Sequence, residues 1–438
     1  MLDRINKSLK NINWKLFVSL LIMGLCPTIY NTLRIFWLGE LPSEYSYSIA
    51  GQLSWVNLIY EIMSEAIILP LFYFMGKVLL NQKEFINRIK TGLIISFGLY
   101  LVLSGVVIIF TEPLLKLMAT STDIIDKSVD YIRIEALANI FLVLANFGLV
   151  ALVTYGKDKY VYILTFVKLV LAVILDVFLL SNLSVSLNLG INGVAVANII
   201  TNIIMLVTII IVLYKIGINV FNKEKLDFKW TKELFKVGGI SGIESLVRNL
   251  FYIIMISRMI NVVGEQGTYW VANNFIWGWL LLPVIQLGEL IKQEVAMNKE
   301  NVRNNTLGYL LITLGICILW VVFIPLYKPF MRYVLNYSDI DKLYNLVMVL
   351  LGFYVLYAFQ NIFDATFYGL GKTHYMLLES IVTNVIYYGV CFILYITNVF
   401  EPTLLGIALM FGIGNAFDSI VSGIVYWYMI KKEKYELV

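Results

Sequence analysis

The sequence predicts an all-α, polytopic membrane protein with twelve transmembrane helices. Of its 438 residues, 60% are hydrophobic and only 14% are charged, and the mean hydropathy is +0.82. This balance is more apolar than a soluble domain of similar length can solvate. Apolar runs of roughly 20 residues also recur along the chain, which is the length a helix needs to cross a lipid core. An open chain in lipid can satisfy its backbone only as a helix.

The predicted spans follow one another at short intervals. Several exceed the minimum length, so we expect tilt or extension beyond the bilayer. The basic stretch 1–13 leads directly into a full-length span without a small-residue cleavage site, so no removable signal peptide is predicted. The twelve spans cover 16–38, 48–76, 91–110, 128–155, 160–180, 189–214, 237–263, 266–291, 304–326, 343–370, 373–398 and 402–430.

The distribution of Lys and Arg predicts the topology and the domains. The termini and even-numbered connections hold 23 of these residues, against 5 in the odd-numbered connections. The positive-inside rule then places both termini in the cytoplasm of a multi-pass protein of the cell (plasma) membrane. The long polar stretch 215–236 is predicted to be a cytoplasmic linker between an N-terminal six-helix bundle (1–214) and a C-terminal six-helix bundle (237–438).

The two halves share sequence signals. Lys157 and Tyr160 stand 215 residues before Lys372 and Tyr375, at the starts of spans five and eleven. Because each half has an even number of spans, the repeats are predicted to share one orientation. They would be related by a pseudo-two-fold axis along the membrane normal, and transporters keep their substrate path between such halves.

Charged residues within the first six spans are the strongest functional signal. Each costs roughly 2.5–3.5 kcal/mol at bilayer depth, so such residues are usually kept for transport, proton relay or gating. Glu61 and Glu65 share one helix face, where two ionised carboxylates would repel, and they are the first candidates for proton coupling, with Glu135 next. Lys168 is a possible counter-ion. The alternative is a static network that fastens the helices together. The candidate cation-coupling set is Glu61, Glu65, Glu135, Asp176, Arg34 and Lys168.

Arg34 and Asp176 are expected to meet. Spans one and five both run outward, and each residue lies five positions before the first residue beyond its span, Gly39 and Ser181. A salt bridge at matched depth is therefore predicted. In the alternative, Arg34 snorkels to the outer surface.

The second half offers weaker candidates. Glu244 and Arg248 are spaced for a salt bridge within span seven. Asp418 lies deep in span twelve and is worth testing, whereas Glu289, Asp364, Glu379 and His374 are expected to be solvated near the cytoplasmic side. Deep aromatic residues could hold flat organic cations, with core packing as the alternative. The weak candidates for substrate binding are Tyr60, Trp277, Tyr357, Asn198, Gln360 and Asp418.

Several motifs along the chain together indicate a family. They are Tyr30-Asn31-Thr32-Leu33-Arg34-Ile35-Phe36-Trp37-Leu38-Gly39, Ile174-Leu175-Asp176, Leu189-Gly190-Ile191-Asn192-Gly193-Val194-Ala195, Phe359-Gln360 and Tyr368-Gly369-Leu370-Gly371-Lys372-Thr373. In sequence and order these motifs resemble those of the multidrug and toxic compound extrusion (MATE) family, and the resemblance covers nearly the whole chain. It implies a cation-coupled exporter whose two bundles form a V that opens alternately to each side of the membrane.

The chain also departs from this family. Many members carry Asp where this chain has Arg34, Asn at Ala172, Thr at Asn198, and in some branches an acid at Tyr357. Of the family's cation site in the first half, only Asp176 remains. We therefore expect Arg34 to be a built-in cation that silences or replaces that site.

Together these patterns predict a secondary active transporter that exports small amphipathic or cationic organic compounds, such as drugs, by H+ or Na+ antiport. Alternatives are a lipid-linked saccharide flippase of the same superfamily and a non-transporting receptor or scaffold on this fold. No enzymatic constellation, phosphate loop or metal motif is evident, so neither catalysis nor a cofactor beyond the coupling ion is expected. The expected partners are a small organic substrate and the lipid bilayer, not nucleic acid, and we expect a monomer.

Overall fold

The computed structural model describes residues 2–41, 45–68, 70–222 and 225–433. Within these ranges the secondary structure is helical and contains no strand, so the predicted all-α class is confirmed. Contacts divide the chain into two compact units. The first, called here the N-terminal unit, is Leu33–Ile253, and the C-terminal unit is Ile254–Val438 together with Met1–Thr32. These boundaries differ from the predicted division at 215–236, which stays a prediction.

The N-terminal unit contains the end of α2 and the helices up to α9. α6 is its most enclosed span and packs against both α5 and α8, while α3 packs against α9. The core is formed by large apolar side chains such as Phe85, Phe147 and Leu152. The helices are α2 (Trp14–Glu40), α3 (Ser46–Ile67), α4 (Leu71–Gly76), α5 (Gln82–Leu117), α6 (Thr122–Thr154), α7 (Asp158–Leu179), α8 (Ile191–Lys215) and α9 (Thr231–Phe251).

A glycine allows α3 and α9 to pack closely. A Cβ at Gly238 would lie 1.8 Å from the Ala66 carbonyl oxygen, whereas the neighbouring Gly239 faces open space. Only a residue without a side chain fits at the first position. Gly238 therefore permits the close approach of α3 and α9.

The C-terminal unit is built around α12, α13, α15 and α18, and it includes α1 (Leu2–Asn11) and the beginning of α2. The Ser8 hydroxyl on α1 accepts a hydrogen bond from the Gly308 amide on α13 at 2.8 Å. The remaining helices are α10 (Arg258–Val262), α11 (Gln266–Phe275), α12 (Leu282–Met297), α13 (Asn301–Val322), α14 (Ile324–Tyr333), α15 (Ile340–Gly369), α16 (Thr373–Val382), α17 (Gly389–Ile396) and α18 (Leu404–Lys432).

In the part of the chain that the structure describes, three π-helical segments interrupt the α-helices, at Tyr252–Ser257, Ile276–Leu280 and Thr383–Tyr388. A π-helical turn inserts an extra residue and re-aims the side chains around it, and such turns are frequent at functional sites. Two of the three segments contain residues of the candidate sites, Trp277 and Thr383.

Ten helices among the described residues are long and apolar enough to cross a membrane, or eleven if the bent pair Gln266–Leu280 and Leu282–Met297 is one span. That pair bends by 53°, with Pro283 at the start of the second helix. The predicted span 48–76 is divided instead into α3 and α4, with Pro70 immediately before α4. Proline lacks the amide hydrogen that a continuous helix would use there.

Candidate functional site

Arg34 is the centre of a buried polar network in the N-terminal unit. Its Nε and Nη2 donate to the two carboxylate oxygens of Asp176, each at 2.9 Å, in a bidentate pair. Its Nη1 donates to Oδ1 of Asn198 at 3.0 Å. The Arg34 side chain is 12% exposed and that of Asp176 is 3% exposed. The predicted salt bridge is therefore confirmed, and snorkelling of Arg34 to the surface is wrong.

The network continues from Asn198 to Glu135. Nδ2 of Asn198 donates to Oε1 of Glu135 at 2.6 Å, and the Tyr131 hydroxyl also hydrogen-bonds to this carboxyl group. Asn198 thus accepts from a guanidinium with its oxygen and donates to a carboxylate with its amide group. α2, α6, α7 and α8 each contribute one of the four central side chains. Asn198, which was a weak candidate for substrate binding, lies here in the interior of the Arg34 network.

Lys168 lies apart from these pairs. It is half-buried on α7, and none of the described carboxylates lies within 4.0 Å of its ammonium group. The structure pairs the glutamates of α3 with Arg248 rather than with Lys168. Arg248 takes that position because the close packing of α3 on α9 brings its long side chain to the glutamate face.

Arg248 on α9 is surrounded by three carboxylates. Its guanidinium lies 2.7 Å from Glu65, 3.2 Å from Glu244 and 3.7 Å from Glu61. The predicted pair within span seven is confirmed, and the structure adds both glutamates of α3 to it. Glu61 is the most accessible member, with 47% of its side chain exposed. One positive charge is thus shared by three acids, which leaves an excess of negative charge if all are ionised.

The sequence carried a signal for this α3–α9 contact that the prediction did not use. Gly238 and Gly242 are four residues apart and both face Ala66 on α3. Two small residues at this spacing indicate close helix packing, and Arg248 lies further along the same helix. A contact between α3 and α9 could therefore have been proposed, but the partner helix could not have been identified from the spacing alone.

The candidate aromatic residues fall into two environments. Tyr60 is buried, its ring stacks on Tyr100, and its hydroxyl lies 2.9 Å from that of Ser104. This placement agrees with the core-packing interpretation. Trp277 is 39% exposed, and its ring meets the edge of Tyr357 with centroids 5.5 Å apart. An accessible aromatic surface of this kind suits flat or cationic organic compounds.

Polar candidates of the second half converge in the C-terminal unit. Nε2 of Gln360 donates to Oδ2 of Asp418 at 2.6 Å, and the same nitrogen lies 3.2 Å from Asp364. Glu379 is buried, with 4% of its surface exposed. The expectation that Glu379 is solvated is therefore wrong, because the packing of α15, α16 and α18 encloses it, while Asp364 is half-buried and hydrogen-bonded to Gln360 and Ser422. Glu289, by contrast, is 42% exposed and pairs with a lysine, as expected, and His374 is exposed.

Comparison with known proteins supports the resemblance drawn from the motifs. Residues 80–178 match the MatE family model. A search of curated protein sequences gives no significant match.

The fold is shared with solved transporters of low sequence identity. An inward-facing multidrug resistance MATE family transporter of the MOP superfamily is similar over 97% of this chain and 99% of its own, with a TM-score of 0.78 and 19% identity. The outward-facing conformation of such a transporter has a TM-score of 0.72 at 18% identity, over 99% and 98% of the two chains. A MOP superfamily transporter from Pyrococcus furiosus, described as having a binding pocket of reverse polarity that suggests a different function, has a TM-score of 0.70 at 18% identity over 96% of both chains. The chain therefore has the fold of the MATE transporters.

Proposed function

We propose that this protein is a secondary active exporter of small amphipathic or cationic organic compounds, which works by alternating access and is driven by H+ or Na+ antiport. The observation that carries the proposal is the cluster around Arg248, where three carboxylates lie within 3.7 Å of one guanidinium on helices long enough to span a membrane. One positive charge cannot balance three negative ones. A carboxylate of this cluster is therefore suited to take up a proton or a sodium ion reversibly.

The accessible aromatic surface supports the class of substrate. The rings of Trp277 and Tyr357 are partly exposed and meet edge to face. The face of a tryptophan ring attracts organic cations by roughly 0.5–2 kcal/mol, depending on how far the contact is desolvated. The MATE fold supports transport as the process in which such a surface is used. We further propose that the protein acts as a monomer in the plasma membrane with both termini in the cytoplasm.

Transport in proteoliposomes tests the proposal. Efflux of a fluorescent organic cation is measured under a pH gradient and under a sodium gradient, each collapsed separately. The variant Glu61→Gln/Glu65→Gln is expected to lose about tenfold or more of the gradient-driven flux, because it removes both carboxylates of α3. Glu289→Gln is the matched control, since Glu289 is exposed and paired with Lys292.

Two results would contradict different parts of the proposal. If the wild-type protein moves no organic cation under either gradient, export of this substrate class is refuted. If the double variant keeps wild-type flux under both gradients, export stands but coupling through α3 does not.

Lys168 favours a second candidate function. It is a half-buried cation without an acidic partner within 4.0 Å among the described residues, and an ammonium group of this kind can hold a phosphate. A lipid-linked saccharide flippase needs such a contact. Transbilayer movement of a dolichol- or polyprenyl-phosphate sugar in proteoliposomes, reduced by Lys168→Gln, would support it. A protein that transports neither this lipid nor organic cations would instead be a receptor or scaffold.

A further inference from the structure

Three acidic side chains from three helices meet in the C-terminal unit. Asp364 lies on α15, Glu379 on α16 and Asp418 on α18. Gln360 bridges Asp364 and Asp418 through its amide nitrogen, and Glu379 lies beside Asp364. We call these three acids the carboxylate cluster. It is separate from the Arg248 cluster, which belongs to the N-terminal unit.

The hydrogen bonds to the carboxylate cluster come from neutral groups. Thr383, in the third π-helical segment, donates its hydroxyl to Oδ1 of Asp418 at 2.6 Å. Ser422 donates to Oδ1 of Asp364 at 2.9 Å. The Ser419 hydroxyl lies 2.8 Å from Oε1 of Gln360, which fixes the amide with its nitrogen towards the acids. These groups orient the carboxylates but do not neutralise them.

Positive charge does not reach the carboxylate cluster from the helices packed around it. Among the described residues, no Lys, Arg or His nitrogen lies within 4.0 Å of the three acids, and the charges that act on Asp364 and Glu379 are those of the other members. The titratable groups on the neighbouring helices have other partners: Arg258 bonds to Tyr395, Lys292 to Glu289, Lys328 to Asp341, Tyr309 to Glu294, Tyr387 to a backbone carbonyl and Tyr426 to Thr306.

Glu379 supplies an independent observation. The residue is only 4% exposed, and its Oε1 receives no hydrogen bond from the described residues. A buried polar atom without a partner costs roughly 1–3 kcal/mol, so a purely structural network would be expected to satisfy it. Glu294 in the same unit shows the contrast, because its two oxygens accept from the Asn13 amide, from Asn305 and from Tyr309. Glu379 therefore keeps one acceptor atom that the described side chains around it do not use.

Protons are the ligand that this geometry holds. Two carboxyl groups that lie beside each other can form a hydrogen bond once one of them carries a proton, whereas two carboxylates have no donor between them. Because the Gln360 amide joins Asp418 to this pair, a proton can be bound by more than one of the three acids. Like-charge repulsion at short range favours keeping at least one proton in such a group.

We propose that Asp364, Glu379 and Asp418 form a proton-binding site in the C-terminal unit, which takes up and releases a proton during the export cycle. The export step rests on the function proposed above, whereas proton binding itself does not. As a coupling site, it would work in addition to the carboxylates around Arg248. The π-helical turn at Thr383 places one of its donors, so a change in that turn would alter how well Asp418 holds its charge.

Carbodiimide labelling tests proton binding without measuring transport. Dicyclohexylcarbodiimide enters membranes and reacts with protonated carboxyl groups, and mass spectrometry of peptides identifies the labelled residue. The reconstituted wild-type protein is expected to be labelled at the carboxylate cluster, with a labelling rate that falls about tenfold between about pH 6 and about pH 9. Glu379→Gln should change that pH profile at the other two acids. Glu294→Gln, at a buried acid outside the cluster, should leave it unchanged.

Each outcome decides a separate point. Absent labelling, or labelling that does not vary with pH, overturns the proposal. Protection by sodium at constant pH overturns it as well, because the cluster would then be a cation site. The conservative variant Glu379→Asp keeps a carboxyl group and should retain pH-dependent labelling if Glu379→Gln folds poorly. If labelling behaves as expected but proteoliposomes show no gradient-driven flux, the proton site stands and coupled export fails. If flux is measured without pH-dependent labelling, coupled export stands and the proton site fails.

Discussion

Removing the Arg34 guanidinium should destabilise the protein more than removing both charges of its pair. The variant Arg34→Gln leaves the Asp176 carboxylate buried, with only 3% of its side chain exposed and both of its Arg34 hydrogen bonds gone. In Asp176→Asn the guanidinium still has Asn198 as an acceptor. The double variant buries two neutral amides that can hydrogen-bond to each other.

The magnitude follows from the distances. Opposite charges 2.9 Å apart attract by about 6 kcal/mol at an effective dielectric constant near 20. Desolvation of both ions offsets much of this attraction, but removing one partner of a buried pair typically costs about 3–5 kcal/mol. We expect Arg34→Gln to lose about 3–5 kcal/mol of unfolding free energy. The double variant should lose about 2 kcal/mol less than the sum of the two single losses.

Equilibrium unfolding in mixed micelles of dodecylmaltoside and SDS, followed by tryptophan fluorescence, measures these free energies. Arg133→Gln is the matched control, since Arg133 is exposed and donates to the Ile108 carbonyl; we expect a loss within about 0.5 kcal/mol. Additive single losses, within about 0.5 kcal/mol, would refute the reasoning. In a binding assay, Arg34→Asp should create sodium- or proton-dependent binding in this unit. Unchanged cation dependence would refute the idea that Arg34 stands in for a coupling ion.

Three further predictions concern packing and charge. Arg248→Gln leaves three carboxylates without their cation. The unfolding midpoint of this variant should fall more at pH 8 than at pH 5, because protonation at the lower pH relieves the repulsion between the carboxylates. An equal fall at both pH values would contradict this explanation. Gly238→Ala should lower the free energy of unfolding by about 1–3 kcal/mol, because a Cβ at this position meets the Ala66 carbonyl. Gly239 faces open space, so Gly239→Ala should change the free energy of unfolding by less than about 1 kcal/mol. Thermal unfolding compares the two variants. Tyr309→Phe removes a hydrogen bond to a buried glutamate and should cost about 1–3 kcal/mol in the same assay, and an unchanged midpoint would show that the bond contributes nothing.

The sequence predicted elements whose signals are local. Apolar runs of spanning length indicated the helical class, and matched positions near span ends predicted the contact between Arg34 and Asp176. Contacts that depend on which helix lies beside which were not predictable in this way. Arg248 was assigned a partner one turn away on its own helix, which is correct, but its shortest ion pair is with Glu65 on α3. Spacing within one helix contains no information about a second helix.

The misjudged burial of Glu379 has a similar cause. Glu379 lies near a predicted span end, where an isolated helix would expose a carboxyl group to water. Depth along a helix, however, does not determine lateral burial, which depends on the neighbouring helices. α16 continues into a π-helical segment whose first residue, Thr383, hydrogen-bonds to Asp418. A π-helical turn has no reliable signature in a single sequence, since it reflects a packing constraint rather than a propensity.

The compensation of acidic side chains differs between the two units. In the N-terminal unit, Asp176 and Glu65 each contact a guanidinium, which keeps its charge at any physiological pH. In the C-terminal unit, the described donors to Asp364 and Asp418 are neutral side chains such as Gln360. Hydrogen bonds from neutral donors are weaker than those from a guanidinium, so the acids of the C-terminal unit are held by weaker contacts than the acid paired with Arg34.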